Sequence, residues 1–234
     1  MIYVYVNGKR MAYLQQKLNA AVLSDASIIE AGDTLVLPIL KRNKKEIPLR
    51  NKTLSLSKLH GLKLYLPFPH PLIPEDNEFF YYMRDEELVL ENANLTALGL
   101  LFYLTQHAIS LYDIKIDILG GGKCGQALAK LLDYLHVDYR VIHKNREIDM
   151  ETYRSLKKGD IIVNTAPVCY LEIKDLKNQP TQFVLDISSE KCFNKQLQAS
   201  GVEIIYPGSL PEKYFPCSGA DLIFEYMGRV NNEK

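Results

Sequence analysis

The stretch IDILGGGKCGQALAKLL, residues 116–132, constrains the fold more than any other part of the chain. It reads as an apolar strand, three consecutive glycines and a helix with Ala127 and Leu128 as small and apolar residues facing a sheet. The spacing is Gly120-x-Gly122-x-x-Gly125, with a further strand expected at 138–142. That is the context of a dinucleotide-binding loop. The first glycine permits the tight turn, the second lets backbone approach a pyrophosphate, and the third lets the helix pack on the strand. Free N–H groups and the positive end of the helix dipole then favour phosphate at the helix start, beside Lys123, Cys124 and Gln126. A turn that needs glycine only for its geometry would share this spacing. A P-loop would need Gly-Lys followed by Ser or Thr, which is missing here.

The tip of the second strand bears on which dinucleotide is held. An NAD site usually places Asp or Glu there to bond the ribose hydroxyls. This chain has VIHKNR, putting His143, Lys144 and Arg146 where a 2′-phosphate would lie. Charge-assisted bonds to a dianion favour NADP as cofactor, with NAD the other possibility. An ordinary polar turn is the plainer reading of the same residues.

Regular α/β punctuation surrounds the loop. Strands are expected at 114–119, 138–142, 160–164, 182–187 and 202–206, and helices at 123–135, 149–157, 190–199 and 217–230. The strands are short and rich in Ile and Val, as in a sheet covered on both faces. A long apolar helix over 92–111 precedes them, with Asn92 or Asn94 as its cap. The domain boundary is placed at its start. Residues 1–91 then form a smaller N-terminal α/β domain, a substrate or lid domain, with strands near 2–6, 33–39 and 61–69 and a helix over 10–22. Residues 92–234 form a Rossmann-type doubly wound domain that includes the last helix, for which Ser218 and Asp221 suggest a capping box. The basic run 41–52 reads as a solvated excursion balanced by the acidic stretch 75–91.

Ligands of open parallel sheets lie across the carboxyl ends of the strands. Three expected strand ends are informative: Asn164-Thr165-Ala166-Pro167, Asp186 with Ser188 and Ser189, and Tyr206-Pro207-Gly208-Ser209. Asn164 and Thr165 can bond the nicotinamide ribose. His60, His70 and His107 read as structural, and no nucleophile–base pair stands out, so the catalytic residues are left unassigned. The four cysteines match no metal pattern.

Composition sets outer limits. The 234 residues are 47% hydrophobic and 24% charged, and Lys+Arg equals Asp+Glu at 28 each, which gives no bulk attraction to nucleic acid or membranes. The near-apolar run at 95–104 is too short to span a bilayer. The N-terminus has its charges after the apolar part, the reverse of a signal peptide, so a cytoplasmic protein is expected.

Five collinear segments together resemble the A subunit of dipicolinate synthase, an NADP-type oxidoreductase of spore-forming bacteria. They are MRDEELVLENANLTALGLLFYLTQH (83–107), DILGGGKCG (117–125), DIIVNTAP (160–167), VLDISS (184–189) and YPGSLPEKYFPCSGADLI (206–223). The resemblance implies an oxidoreductase acting on a small cyclic carboxylated substrate, a dihydrodipicolinate-type precursor of pyridine-2,6-dicarboxylate, beside a flavoprotein B-type subunit; a homo-oligomer is the other partner expectation. It implies that Gly120, Gly122, Gly125 and Gln126 contact the pyrophosphate, that His143, Lys144 and Arg146 face the adenosine phosphate, and that Asn164, Thr165, Pro167 and Gly208 line the nicotinamide pocket. Leu95 and Leu98 depart from the family pattern, which carries proline and glutamate there. A shikimate-dehydrogenase-like reductase of another small acid, or a nucleotide-binding sensor or partner subunit without turnover, remains as an alternative.

Overall fold

The computed structural model describes residues 1–25, 28–50, 52–107, 109–188, 193 and 201–232. The chain divides into two compact units, Met1–Asn92 with Phe215–Lys234, and Ala93–Tyr214.

The first unit contains β1 (Ile2–Val4), α1 (Lys9–Lys17), β2 (Ala21–Val22), β3 (Thr34–Val36), the antiparallel pair β4 (Glu46–Pro48) and β5 (Thr53–Ser55), β6 (Lys63–Leu66) and β7 (Glu78–Tyr81). Its parallel sheet runs β2-β1-β3-β6-β7. Helix α2 (Glu86–Gln106) contains the division between the units. The second unit continues with β8 (Lys115–Leu119), α3 (Lys123–Tyr134), β9 (Asp138–Ile142), α4 (Met150–Ser155), β10 (Ile161–Asn164), α5 (Ile173–Leu176), β11 (Phe183–Asp186), β12 (Glu203–Ile205) and α6 (Leu210–Tyr214). Its sheet, also parallel, runs β12-β11-β10-β8-β9. Helix α7 (Pro216–Asn232) follows α6.

Ranked by sequence, both sheets have the order 2-1-3-4-5. This is the doubly wound α/β architecture, with its topological switch point between the first and third strands. Every residue of β10 is buried, as befits a central strand covered on both faces. On β8, Ile116 and Ile118 join a core with Leu100, Leu104, Leu128 and Leu132, while Leu119 joins the opposite core with Ile142, Tyr153 and Ile162.

The element boundaries differ from the sequence expectations in several places, each for a local reason. The helix expected at 10–22 stops at Lys17, because Asn19 takes a left-handed φ of 48° and the chain returns as β2. The helix expected from residue 92 begins at Glu86, because the Asp85 carboxylate accepts the Leu88 N–H at 2.7 Å and Glu86 and Glu87 suit the positive helix end. The division between units therefore falls inside α2. By length and composition α2 is also apolar enough to cross a membrane, whereas the apolar run counted from sequence is too short. Ala97, Leu100 and Leu104 of α2 are instead buried in the core of the second unit.

The sequence pattern groups the C-terminal helix with the dinucleotide-binding domain. In the structure α7 belongs with the first unit, where Ala220, Ile223, Tyr226 and Met227 pack with Val4, Met11 and Leu14. It starts at Pro216, so Ser218 lies within the helix and is not its cap. The helix expected at 190–199 lies almost wholly outside the described residues.

One buried charge organises the second unit. Asp117, in the middle of β8, is fully buried. It accepts Arg140 Nε and Nη2 at 2.7 Å each, Tyr153 OH at 2.7 Å and Gly159 N–H at 2.6 Å. Burial and the adjacent Asp117 charge hold the Tyr153 phenol far above its ordinary range, so it stays a donor. Burial alone would lower the Arg140 pKa; the Asp117 bonds and charge reverse this and raise it. Lys158 is buried beside this group and donates to the carbonyls of Tyr153, Arg154 and Leu156, closing the end of α4. Removing one partner of a buried pair strands the other charge, at about 3–5 kcal/mol. Arg140→Met is therefore expected to lower unfolding stability by roughly that amount in urea denaturation. Adding Asp117→Asn removes the stranded charge and should recover part of the loss. Simple additivity of the two changes would refute the pairing.

Candidate dinucleotide site

The site is built where β8 ends. Gly120 has a φ of 115°, a conformation that L side chains rarely adopt. A Cβ there would lie 2.5 Å from Thr165 Oγ1. A Cβ on Gly125 would lie 2.1 Å from the Gly120 carbonyl oxygen, so only glycine lets α3 come this close to the strand end. Thr165 fastens the neighbouring strand end beneath the loop, its hydroxyl donating to Leu119 O at 3.1 Å. Gly122 is different: nothing lies within 4 Å of where its Cβ would be. The open face of the loop is thus at the second fingerprint glycine, where a pyrophosphate would approach. Gly122 is also the N-cap of α3, with no side-chain cap and no acidic residue in the first turn, leaving the positive helix end open to an anion.

A cleft of about 540 Å³ opens from this loop. It is lined by Gly120, Gly121 and Gly122, by His143 and Lys144 after β9, and by Thr165, Ala166 and Pro167 after β10. It therefore lies at the switch point between β8 and β10, where doubly wound sheets place ligands. Gly121, the position that the fingerprint leaves free, has its own reason to be glycine. A Cβ there would meet the His143 ring at 2.8 Å. That ring is held by its turn, with Nδ1 accepting Asn145 N–H at 3.3 Å.

Other residues singled out in the sequence stand outside the cleft lining. Lys123 is exposed on the first turn of α3. Gly125 is buried beneath the loop, and the Gln126 amide donates back to Gly121 O at 2.8 Å, bracing the loop. Cys124 packs against the core and hydrogen-bonds Thr96, and burial pushes its thiol pKa up. Arg146 is exposed on the turn after β9, where its N–H donates to His143 O. Asn164 and Asp186 are buried together, Asn164 Nδ2 donating to Asp186 Oδ1 at 3.0 Å and to Ala166 O at 2.9 Å. They support the loop that carries Ala166 and Pro167. Gly208, with a φ of 80°, follows the edge strand β12, which β11 separates from β10.

Sequence reasoning missed Asp149, Met150, Glu151 and Tyr170, which also line the cleft. The chain after β9 folds back, His143 N–H bonding Ile148 O at 3.0 Å, and brings the start of α4 to the site. Asp149 caps that helix by accepting Thr152 N–H at 2.8 Å, and these bonds hold its carboxyl below the usual range. The capping pattern was readable in the sequence. The fold-back was not, because it rests on backbone bonds.

With this geometry in view, the fold can be placed. It is similar to the A subunit of dipicolinate synthase from Bacillus halodurans, with a TM-score of 0.79 and 15% identity over 98% of this chain and 96% of that one. The corresponding dipicolinate synthase polypeptide from Bacillus subtilis aligns with a TM-score of 0.82 and 14% identity over 99% and 95%. A D-isomer specific 2-hydroxyacid dehydrogenase from Xanthobacter autotrophicus Py2, in complex with NADPH and MES, aligns with a TM-score of 0.55 and 13% identity over 100% and 95%. No protein-family model matches the chain, and no curated protein matches it in sequence. These likenesses establish a Rossmann-type α/β fold.

Two measurements check the site as built. Gly125→Ala forces a side chain onto backbone, so a stability loss of about 1–3 kcal/mol is expected in thermal or urea unfolding. Alkylation followed by mass spectrometry should label exposed Cys169 about tenfold or more faster than Cys124. Equal rates would show that Cys124 is open to solvent.

Proposed function

We propose that the protein is an NADP-dependent oxidoreductase of a small cyclic carboxylated substrate, of the dipicolinate synthase kind, working in the cytoplasm. The observation that carries this is the open backbone at Gly122, at the start of α3, facing a cleft at the switch point. In this reading the start of α3 holds the pyrophosphate. Lys144 and His143 take the adenosine phosphate, and Thr165, Ala166 and Pro167 bound the nicotinamide end. Lys144 is exposed at the cleft, whereas the Asp149 carboxylate beside it is turned onto the α4 amides. This supports a cofactor with a phosphate on its adenosine ribose. When bound, the nicotinamide supplies hydride transfer. The protein's part is to orient it against the substrate and exclude water.

The test is a thermal shift or titration with NADPH and NADH. NADPH should raise the melting temperature and bind more tightly than NADH. Gly122→Ala adds a methyl group where the native protein has space, so its melting temperature should match the wild type while NADPH affinity drops about tenfold or more. Lys144→Glu should weaken NADPH and leave NADH nearly unchanged. If neither dinucleotide binds, the reading is lost. If NADH binds more tightly, Asp149 and Glu151 set the specificity and the cofactor is NAD.

A second reading, nucleotide binding without turnover, is favoured by Leu98. It stands where the similar family carries glutamate, and it is 43% exposed on α2. Tight NADPH binding with no turnover of any cyclic acid would support it.

A further inference from the structure

In a parallel sheet the crossover between neighbouring strands usually carries a helix that covers the sheet face. The β6–β7 crossover of the first unit carries none. Pro67, Pro69, Pro71 and Pro74 fall within it, and proline neither donates an N–H nor continues a helix. The segment stands off the sheet and leaves a hollow of about 580 Å³ over β7. A smaller hollow of about 180 Å³ adjoins it and shares Arg42, Pro69 and His70.

The hollow is braced on both sides. Asn77 is buried, accepts Leu62 N–H at 2.9 Å and donates to Leu59 O and Pro74 O at 2.7 Å each, fixing the far end of the crossover. His70 Nδ1 accepts Leu72 N–H at 3.4 Å, and Nε2 lies 3.2 Å from Lys41 O. The second bond ties the crossover to the loop that carries Arg42. One wall is aromatic: Phe79 and Tyr81 project from the same face of β7, their rings 5.7 Å apart and 8° from parallel. At the rim stand Arg42, exposed and with no ion pair among the described residues, and Glu75, also exposed.

We infer that the first unit binds a small planar ring acid in this hollow, the ring against Phe79 and Tyr81 and a carboxylate on Arg42. The proline-rich segment offers few backbone N–H groups, so the anion must be met by a side chain. Arg42 supplies a planar, bidentate donor suited to a carboxylate. Glu75 accepts a hydroxyl or ring N–H on the ligand and disfavours a second anion at that end. The basic segment around Arg42, read from sequence as a solvated excursion, gains a role by this placement. The ligand class follows from the hollow itself: the aromatic wall calls for a planar ring, Arg42 for one carboxylate and Glu75 for a neutral donor.

The test is isothermal titration of the full chain with 4-hydroxybenzoate as probe and acetate as the acyclic control, with an amide NMR map of the bound state. The ring acid should bind with a dissociation constant of about 1 mM or tighter and at least about tenfold tighter than acetate. The NMR shifts should centre on residues 69–81 and Arg42. Arg42→Gln should cost about tenfold in affinity, with melting temperature and NADPH affinity unchanged, and Arg42→Lys should recover part of it. Wild-type affinity in Arg42→Gln, equal binding of acetate, or shifts centred elsewhere would overturn the proposal. NADPH titrated in parallel separates the two readings: loss of NADPH binding with ring-acid binding intact sinks the cofactor and leaves this site standing.

Discussion

The second unit depends on a fully buried carboxylate, that of Asp117. A carboxylate offers about four acceptor sites, and Asp117 has four donors on it. They come from β9, from α4 and from the turn into β10, so one side chain on β8 ties four segments together. The cost of burying the charge is met only when all of them are in place. The consequence reaches the cleft. Arg140 lies three residues before His143, and Tyr153 lies in the helix that Asp149 caps. The network therefore sets where the end of β9 and the start of α4 stand, and those two ends form one side of the site.

The glycine loop was legible because its demands are local. Gly120 and Gly125 are each required by a contact within the strand–loop–helix unit or with the adjacent strand end, and the spacing announces that contact. The collinear strand ends at 164–167 were legible for the same reason. What the loop faces was less so. Asp149 and Glu151 reach the cleft through a fold-back held by backbone bonds, which leave no residue-type signature, and Tyr170 reaches it from the loop after β10. Cys124 and Gln126 sit next to the fingerprint glycines in sequence. On a helix start, however, neighbouring positions point in different directions: one enters the core and the other returns to the loop.

Elsewhere the sequence showed that a face is buried without showing its partner. The spacing in 217–230 marks a helix with one apolar stripe, yet nothing in it says that Ala220, Ile223 and Met227 meet Val4 and Met11 rather than the strands that precede them in the chain. The hairpin of β4 and β5 was hidden because its first strand lies within the basic run 41–52, with Ile47 and Leu54 as its buried apolar residues. Strand β7 was hidden for a related reason: its EFFY lies among acids that read as a solvated stretch. In both cases a few apolar side chains, buried in the hairpin and partly buried in β7, outweighed charged neighbours, because burying an apolar side chain is worth far more than an exposed charge.

The shared strand order of the two sheets sharpens the difference between their crossovers. After β8 the chain makes a glycine turn into a long helix, so backbone amides and the helix dipole face the cleft. Such a surface suits the diffuse charge of phosphates and needs no side chain. After β6 the chain makes a proline-rich arc, which has few amides to offer and no helix end. An anion held there calls for a guanidinium, and Arg42 stands at that point. These crossovers hold different ranks in the shared order, first strand to second after β8 and fourth to fifth after β6, so one order accommodates both a glycine turn that offers backbone amides and a proline arc that leaves an anion to a side chain.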